Sequence, residues 1–449
     1  MKIMLIMPPN PYTPLAFGFP IGLGYLGSVL ENEGHEVRLL DALYDKLSID
    51  DVVRKVKSFS PEYVGISVYT ALARPAVELA KRIKSLGIKT VAGGSHATYD
   101  SETLKSQFDS VIIGEGERNF VDLIYGRKQD NLLIDDLDTI PFPAYHLVDF
   151  QKYIKADLLP NAVSIMSSRG CSHRCAFCAQ SHFQRRWRSR SPPNVIKEMK
   201  FLLNKYQKIQ SFQFYDDNFT LDQERVYQMC DMIIKNRLNK FQWCCLARVD
   251  QVTEPLLKRM KEAGCRKISY GVESSSPVVL KNIRKGLSLE KVKAAFSLTS
   301  SQGMESLAFF MIGNPGDTQD TINKSIRFAK SLRSTSSLWS IAQVYPGTEL
   351  AKLSGITDFL GYVYQPEITN PSPFTHPFVP VFTQPGLDRE TLKKLQKKIL
   401  KQFLFHHSIR NFATYFRHFV QSPKDAYNYM RMLLWNKSTR VPNASTSKQ

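Results

Sequence analysis

Three cysteines within eight positions, Cys171, Cys175 and Cys178, are the residues whose type and spacing could do chemistry in this chain. They lie in Ser167-Ser168-Arg169-Gly170-Cys171-Ser172-His173-Arg174-Cys175-Ala176-Phe177-Cys178, a C-x3-C-x2-C pattern that lets one loop wrap three thiolates around one metal centre. Three thiolates satisfy three irons of a 4Fe-4S cube and leave the fourth iron open to a substrate or cofactor. Two other readings stay open on the cysteines alone. One is a zinc site completed by His173 or a distant cysteine, because structural zinc takes four nitrogen or sulfur ligands. The other is a set of buried, unligated thiols.

The elements around that loop decide what it can be. The first ~140 residues alternate short apolar strands with helical stretches, the pattern of a doubly wound, Rossmann-like parallel sheet. Strands are expected at Lys2–Met7, Glu36–Asp41, Tyr63–Val68, Thr90–Ala92 and Ser110–Ile113, with helices at Gly22–Glu33, Ile49–Phe59, Arg74–Leu86 and Thr103–Gln107. Pro141 and Pro143 mark residues 135–160 as a linker between a domain at 1–134 and a second βα series at 161–385. In that series Val163–Ser167, Ser211–Asp216, Phe241–Arg248, Lys267–Glu273, Ser306–Ile312 and Ser337–Val344 read as strands, with helices between them. Six βα units suggest a partial (βα)6 barrel, whose chemistry sits at the carboxyl ends of the strands.

Cys171 follows the first of those strands. Tyr215-Asp216-Asp217-Asn218 closes the second, Arg248 the third, Tyr270-Gly271-Val272-Glu273-Ser274 the fourth, and Met311-Ile312-Gly313-Asn314-Pro315-Gly316 the fifth. With the cysteine motif, this arrangement resembles the radical S-adenosylmethionine (AdoMet, SAM) superfamily. The resemblance implies that the AdoMet amino and carboxylate groups chelate the open iron. Asp216 and Asp217 would then accept from the amino group and Arg248 would meet the carboxylate. Glu273 would contact the ribose or the amino group, Phe177 would pack on the adenine, and Gly313 and Gly316 would allow close backbone approach. Taken singly, these side chains read equally well as helix caps, solvated loop residues or a surface salt bridge.

The opening domain is similar to the cobalamin-binding domain found upstream of one large radical AdoMet class. The matching segments are Ile6-Met7-Pro8-Pro9, Pro20-Ile21-Gly22-Leu23-Gly24, Gly93-Gly94-Ser95-His96 and Gly114-Glu115-Gly116-Glu117. By that resemblance Pro8, Gly22, Gly24, Gly93, Gly94, His96, Gly114 and Glu115 line a cobalamin site. The Asp-x-His-x-x-Gly motif that supplies a histidine to cobalt in many cobalamin proteins is absent, which leaves His96 as a substitute ligand, a loop residue, or a sign that no protein ligand is used.

The chain carries a formal charge of +19 over 449 residues, and thirteen Lys/Arg against Glu390 and Asp425 place +11 of it between Arg389 and Lys448. The region 386–449 reads as helical and basic with a disordered end. Phe403, Phe405, Phe412, Tyr415, Phe416 and Phe419 there are either core aromatics or the apolar side of an interfacial helix that meets an anionic membrane surface. Nothing resembles an appended RNA-binding domain, which argues against nucleic acid. No apolar run reaches the length of a membrane span, and the odd, clustered cysteines point to reduced thiols, so the expected location is cytoplasmic, peripheral to the membrane if the tail binds it.

The expectation is therefore a radical AdoMet enzyme with a 4Fe-4S cluster and cobalamin, fed by a flavodoxin- or ferredoxin-type electron donor. It would be a methyltransferase acting on an unactivated carbon of a small molecule or lipid. A radical cyclase of the tetrapyrrole type is the alternative, because Leu392–His407 loosely resembles those enzymes, and a non-catalytic metal-binding module is a third reading. Tyr69, Trp339, Tyr345 and His376 are candidate substrate-side residues, each equally readable as packing or loop.

Overall fold

The computed structural model describes residues 1–10, 18–130, 132–155, 158–179, 186–362 and 381–410. Two parallel sheets organise them. The first contains β1 (Lys2–Met7), β2 (Glu36–Asp41), β3 (Tyr63–Ser67), β4 (Lys89–Gly93) and β5 (Ser110–Val111) in the order β2-β1-β3-β4-β5. The interior strand β1 is the most apolar, Ile3 to Met7 all being buried, as a strand covered on both faces must be. Helices Ile21–Asn32 and Gly116–Ile124 pack against each other on one side, and Ile49–Phe59 and Ala73–Lys84 do so on the other. The chain reverses direction across the sheet between β1 and β3, and the carboxyl ends of those strands and of β4 open onto one side, where ligands bind in such sheets.

The second sheet has β6 (Ala162–Ile165), β9 (Ser211–Phe214), β10 (Gln242–Ala247), β11 (Cys265–Glu273), β12 (Glu305–Ile312) and β13 (Ser336–Ile341) in sequential order, all parallel. Between β6 and β9 a two-stranded antiparallel ladder pairs β7 (Ser168–Arg169) with β8 (Arg188–Ser189). That ladder was not legible in the sequence, because two-residue strands leave no periodicity. The barrel helices start on side-chain caps: Ser191, Asp222, Thr253, Ser288 and Thr318 each accept from the backbone N–H three residues on.

Two expectations are corrected, and a third is decided between its two readings. The segment 135–160, taken as a linker from its prolines, is a packed seam: Tyr145, Phe150 and Tyr153 are buried and meet Phe19 at ring separations of 5.1, 5.3 and 5.7 Å. Its aromatics join the cores of the two sheets into one cluster. A short helix at Ser95–Tyr99 stands where only a glycine loop was expected, and the next begins at Ser101 and ends at Lys105, before Gln107. In the helix Arg389–Arg410 the core reading of the aromatics holds for Phe403. Leu392, Ile399 and Phe403 are buried against the barrel, Phe403 stacks on Trp339 at 5.3 Å, and the Gln396 amide donates to the Trp339 carbonyl at 2.9 Å. That helix covers the free edge of β13, which would otherwise expose unpaired backbone groups. Phe405 alone of the described aromatics there is exposed, and Phe412, Tyr415, Phe416, Phe419 and the expected disordered end lie outside the described residues. No described helix is long and apolar enough to cross a membrane.

Candidate active site at the domain interface

The carboxyl ends of the two sheets face each other across a cavity of about 400 Å3. One wall comes from the first sheet and includes Gly22, Ser67, Tyr69, Gly93, Gly94, Gly114, Glu115 and Glu117; the other comes from the barrel, with Met166, Ser168, Arg169, Tyr215 and Asp217. At Gly22, Gly93 and Gly116 a methyl group in place of the hydrogen would meet nothing within 4 Å, so these glycines form an open floor. Gly94 and Gly114 have φ of +98° and +88°, the left-handed region that favours glycine, and at Gly94 the Val68 carbonyl lies 3.1 Å from where a Cβ would be. A broad, bare wall suits a large planar ligand such as cobalamin.

Of the other residues assigned to that ligand, three lie elsewhere and one lines the cavity. Pro8 is buried and absent from the cavity wall, and Gly24 is packed beneath Phe19 and Pro143. His96 is fully buried, with Nδ1 3.2 Å from the Thr70 hydroxyl and Nε2 3.5 Å from Asp100, and burial pushes its pKa down to about 4. It is not among the residues that line the cavity. Glu115 lines the cavity, but its carboxylate is committed: Arg188 donates to both oxygens at 2.8 and 2.9 Å, Arg169 lies at 3.2 Å, and the Ile134 N–H adds a bond at 2.5 Å. Burial alone would raise its pKa; these partners hold it below the ordinary carboxylate range.

On the barrel side, the loop after β7 carries the cysteines, and Gly170 makes its first bend with φ of +83°. Cys175 is buried, Cys171 and Cys178 are partly so, and none is in a disulfide. Burial pushes the Cys171 thiol up, and the charges of Asp217 and Cys175 add to this against the His173 N–H and Arg248. Among the described residues no three His, Cys, Asp or Glu side chains converge on one metal-ion position. A 4Fe-4S cube asks less of them, since it takes each thiolate on a different iron, and three cysteines outside any disulfide on one loop are the donor set it needs. His173 turns its Nε2 toward Gln251 at 3.3 Å, and Cys230, Cys244, Cys245 and Cys265 are buried on the helix Gln223–Lys235 and on β10 and β11.

The charged strand-end residues surround this loop, and most are already paired. Asp216 is buried and accepts from the Ser167 N–H at 2.7 Å and from the Ser167 and Ser168 hydroxyls at 2.6 Å each. Both its oxygens take part in holding the strand end that leads to Cys171. Asp217 accepts from the Gly170 N–H at 3.2 Å and is otherwise open to the cavity, where burial among protein atoms and then the neighbouring Asp216 push its pKa up to about 6. Arg248 holds both oxygens of Asp250 at 3.0 and 2.9 Å and the Lys285 carbonyl at 3.3 Å. Glu273, with φ of +68° at a bulge in β11, accepts from Lys285 at 2.9 Å, and Lys285 also lies 5.7 Å from the Phe177 ring. Lys285 is a buried cation that sequence reasoning missed. Its signal was Gly271: a Cβ there would lie 2.5 Å from the Glu273 carboxylate and 2.8 Å from the Lys285 ammonium.

Gly313 and Gly316 have φ of +75° and +87°, but the atoms that a Cβ would meet are Leu392 and Asn282, so both serve packing and a turn. Trp339 stacks face to face with Phe310 at 4.5 Å and is core. Tyr345 is pushed up to about 12 by burial and by Cys178, which places it beside the cysteine loop. Tyr69 and Tyr215 stand exposed in the cavity, and His376 lies outside the described residues.

Comparison with known proteins agrees with this two-part site. Residues 165–329 match the radical SAM superfamily and residues 13–124 match the B12 binding domain. The chain is 34% identical to an uncharacterized methyltransferase of Pyrococcus horikoshii, over 78% of this chain and 82% of that one. The chain belongs to the radical SAM superfamily, in the class with an amino-terminal B12-binding domain. This radical SAM enzyme is also 26% identical to an anaerobic magnesium-protoporphyrin IX monomethyl ester cyclase of Rubrivivax gelatinosus, covering 78% of this chain and 70% of the cyclase. Its fold is shared with the radical S-adenosylmethionine methyltransferase TsrM from Kitasatospora setae, solved with cobalamin and a [4Fe-4S] cluster bound, at a TM-score of 0.62 and 21% identity, over 79% of this chain and 78% of that one.

Proposed function

We propose that this radical SAM enzyme is a cobalamin-dependent methyltransferase that acts on an unactivated carbon of a small molecule or lipid. The observation that carries the reading is the shared cavity, with a glycine floor from the first sheet on one side and the cysteine-loop stem on the other. When bound, a 4Fe-4S cluster would supply the electron for AdoMet-based radical chemistry and cobalamin would supply the methyl group. The chain's own residues place and enclose these partners. Cys171, Cys175 and Cys178 hold three irons. Asp216 fixes the strand end before them. Asp217, open to the cavity, is the acceptor for the AdoMet amino group, and the Lys285–Glu273 pair and Arg248 set the charge around it. Gly22, Gly93, Gly94 and Gly114 leave room for cobalamin, while Tyr69 and Tyr215 offer apolar rings with hydroxyls into the reaction space. Electrons come from an external flavodoxin- or ferredoxin-type donor.

A radical cyclase is the second reading, favoured by the similarity to the magnesium-protoporphyrin ester cyclase. The test is anaerobic incubation of the reconstituted enzyme with AdoMet, methylcobalamin, dithionite and candidate substrates. Methyl transfer predicts a product heavier by one methylene together with 5'-deoxyadenosine and S-adenosylhomocysteine. A cyclised product with no added carbon would overturn it in favour of the cyclase.

A further inference from the structure

The antiparallel ladder closes the cysteine loop. Arg169 and Arg188 are directly opposed partners in it, one on each side of the segment from Gly170 to Trp187 that carries Cys171, Cys175 and Cys178. Directly opposed residues of an antiparallel pair point to the same face. Both guanidinium groups accordingly meet the same carboxylate, Glu115 of the first domain, Arg188 at 2.8 Å and Arg169 at 3.2 Å. Arg169 also reaches Glu117 at 2.6 Å and lies over the Tyr25 ring at 5.0 Å. All four charged side chains are nearly inaccessible, at 11% or less of their surface. Glu115 and Glu117 stand at the start of the helix Gly116–Ile124, and both line the cavity, as does Arg169.

We propose that this clamp couples the two cofactor sites: Arg169 is a positioning residue that ties the stem of the cysteine loop to the floor of the cobalamin cavity. A single carboxylate that grips both ends of the loop limits where the three thiols can sit. A ligand that orders the Gly114–Glu117 turn stiffens the loop through Arg169 and Arg188. By reciprocity, a filled cluster site must tighten cobalamin binding by the same factor. The two buried pairs bring four charges together as two cations and two anions, so the joint is neutral and strongly directional, with Arg188 engaging Glu115 through two parallel bonds. The inference rests on the proposed reading that cobalamin occupies the cavity.

The test uses the full chain with its cluster reconstituted anaerobically, and reads the rate of iron loss to a chelator with and without hydroxocobalamin. In the parent, hydroxocobalamin slows iron loss by roughly tenfold, within the usual range of coupling between sites. In Arg169→Gln the protection collapses to within about twofold, and cobalamin affinity measured by absorbance titration no longer depends on whether the cluster is present. Arg169→Lys keeps the charge but not the fork and restores part of the coupling; it also serves if the glutamine variant does not fold. Failure of the parent to bind hydroxocobalamin would overturn the proposed function and the inference with it. Binding without protection in the parent, or full protection in both Arg169 variants, would overturn the inference alone.

Discussion

The two sheets present opposite surfaces to the cavity they share. The strand ends of the first are bare: Gly22, Gly93 and Gly116 face open space, and the positive-φ Gly94 and Gly114 let the backbone turn away. The strand ends of the barrel are crowded with charge, and nearly every charge has found a partner within the chain, Asp216 with Ser167 and Ser168, Arg248 with Asp250, Glu273 with Lys285. A charged group removed from water needs compensation at once, whereas a missing side chain costs nothing to leave unfilled. Absent side chains in one wall therefore mark where a ligand fits, while charged side chains in the other mark first how the wall is held together.

Four substitutions would break or sharpen that contrast. The largest effect belongs to Cys171→Ala, Cys175→Ala and Cys178→Ala together, which should abolish reductive AdoMet cleavage; 5'-deoxyadenosine formation, quantified by chromatography after anaerobic incubation, should fall to background. Asp216→Asn exchanges an acceptor oxygen for a donor among three buried donors and should cost about 2–4 kcal/mol in urea unfolding. It should also lower iron content, because it frees the strand end before the cysteines. Gly22→Leu should leave stability within about 0.5–1 kcal/mol of the parent or raise it, leucine being the better helix former. It should nonetheless weaken hydroxocobalamin binding by at least roughly tenfold, a change of about 1.4 kcal/mol, because its side chain grows into the cavity.

The smallest effect is on pH dependence. Asp217 has a folded pKa of about 6 against an ordinary value of about 3.9. The folded state therefore binds the extra proton between those limits, so Asp217's contribution favours folding below pH ~4 and is lost as pH rises through about 6. Asp217→Asn should flatten that slope of stability, measured by urea midpoints across this window, while Asp216→Asn, which removes only the lesser of the two causes, should flatten it in part.

How much of this was legible in the sequence follows from the same contrast. Strand positions, the cysteine loop and the glycines at the strand ends were readable, because apolar alternation and glycines at strand ends report local geometry. The partners of the charged residues were not. Asp216 bonds residues 48 and 49 positions away, Glu115 pairs with an arginine 73 positions away, and Glu273 is matched by Lys285 only because the β11 bulge folds it back. His96 shows a related limit: its neighbours Gly93 and Gly94 face the cavity, but the helix that begins at Ser95 rotates the imidazole into the core beside Thr70. The seam at 135–160 hid behind its prolines, although Tyr145, Phe150 and Tyr153 are too large and apolar to be left in solvent.

The most direct test of the account is electron paramagnetic resonance on the full chain loaded with cob(II)alamin and a reduced 4Fe-4S cluster. Two paramagnets facing each other across one cavity should broaden one another's signals and speed relaxation of the cobalt spin, and the triple cysteine variant should give the unperturbed cobalt spectrum. A cobalt signal identical in the parent and in that variant would contradict the shared site.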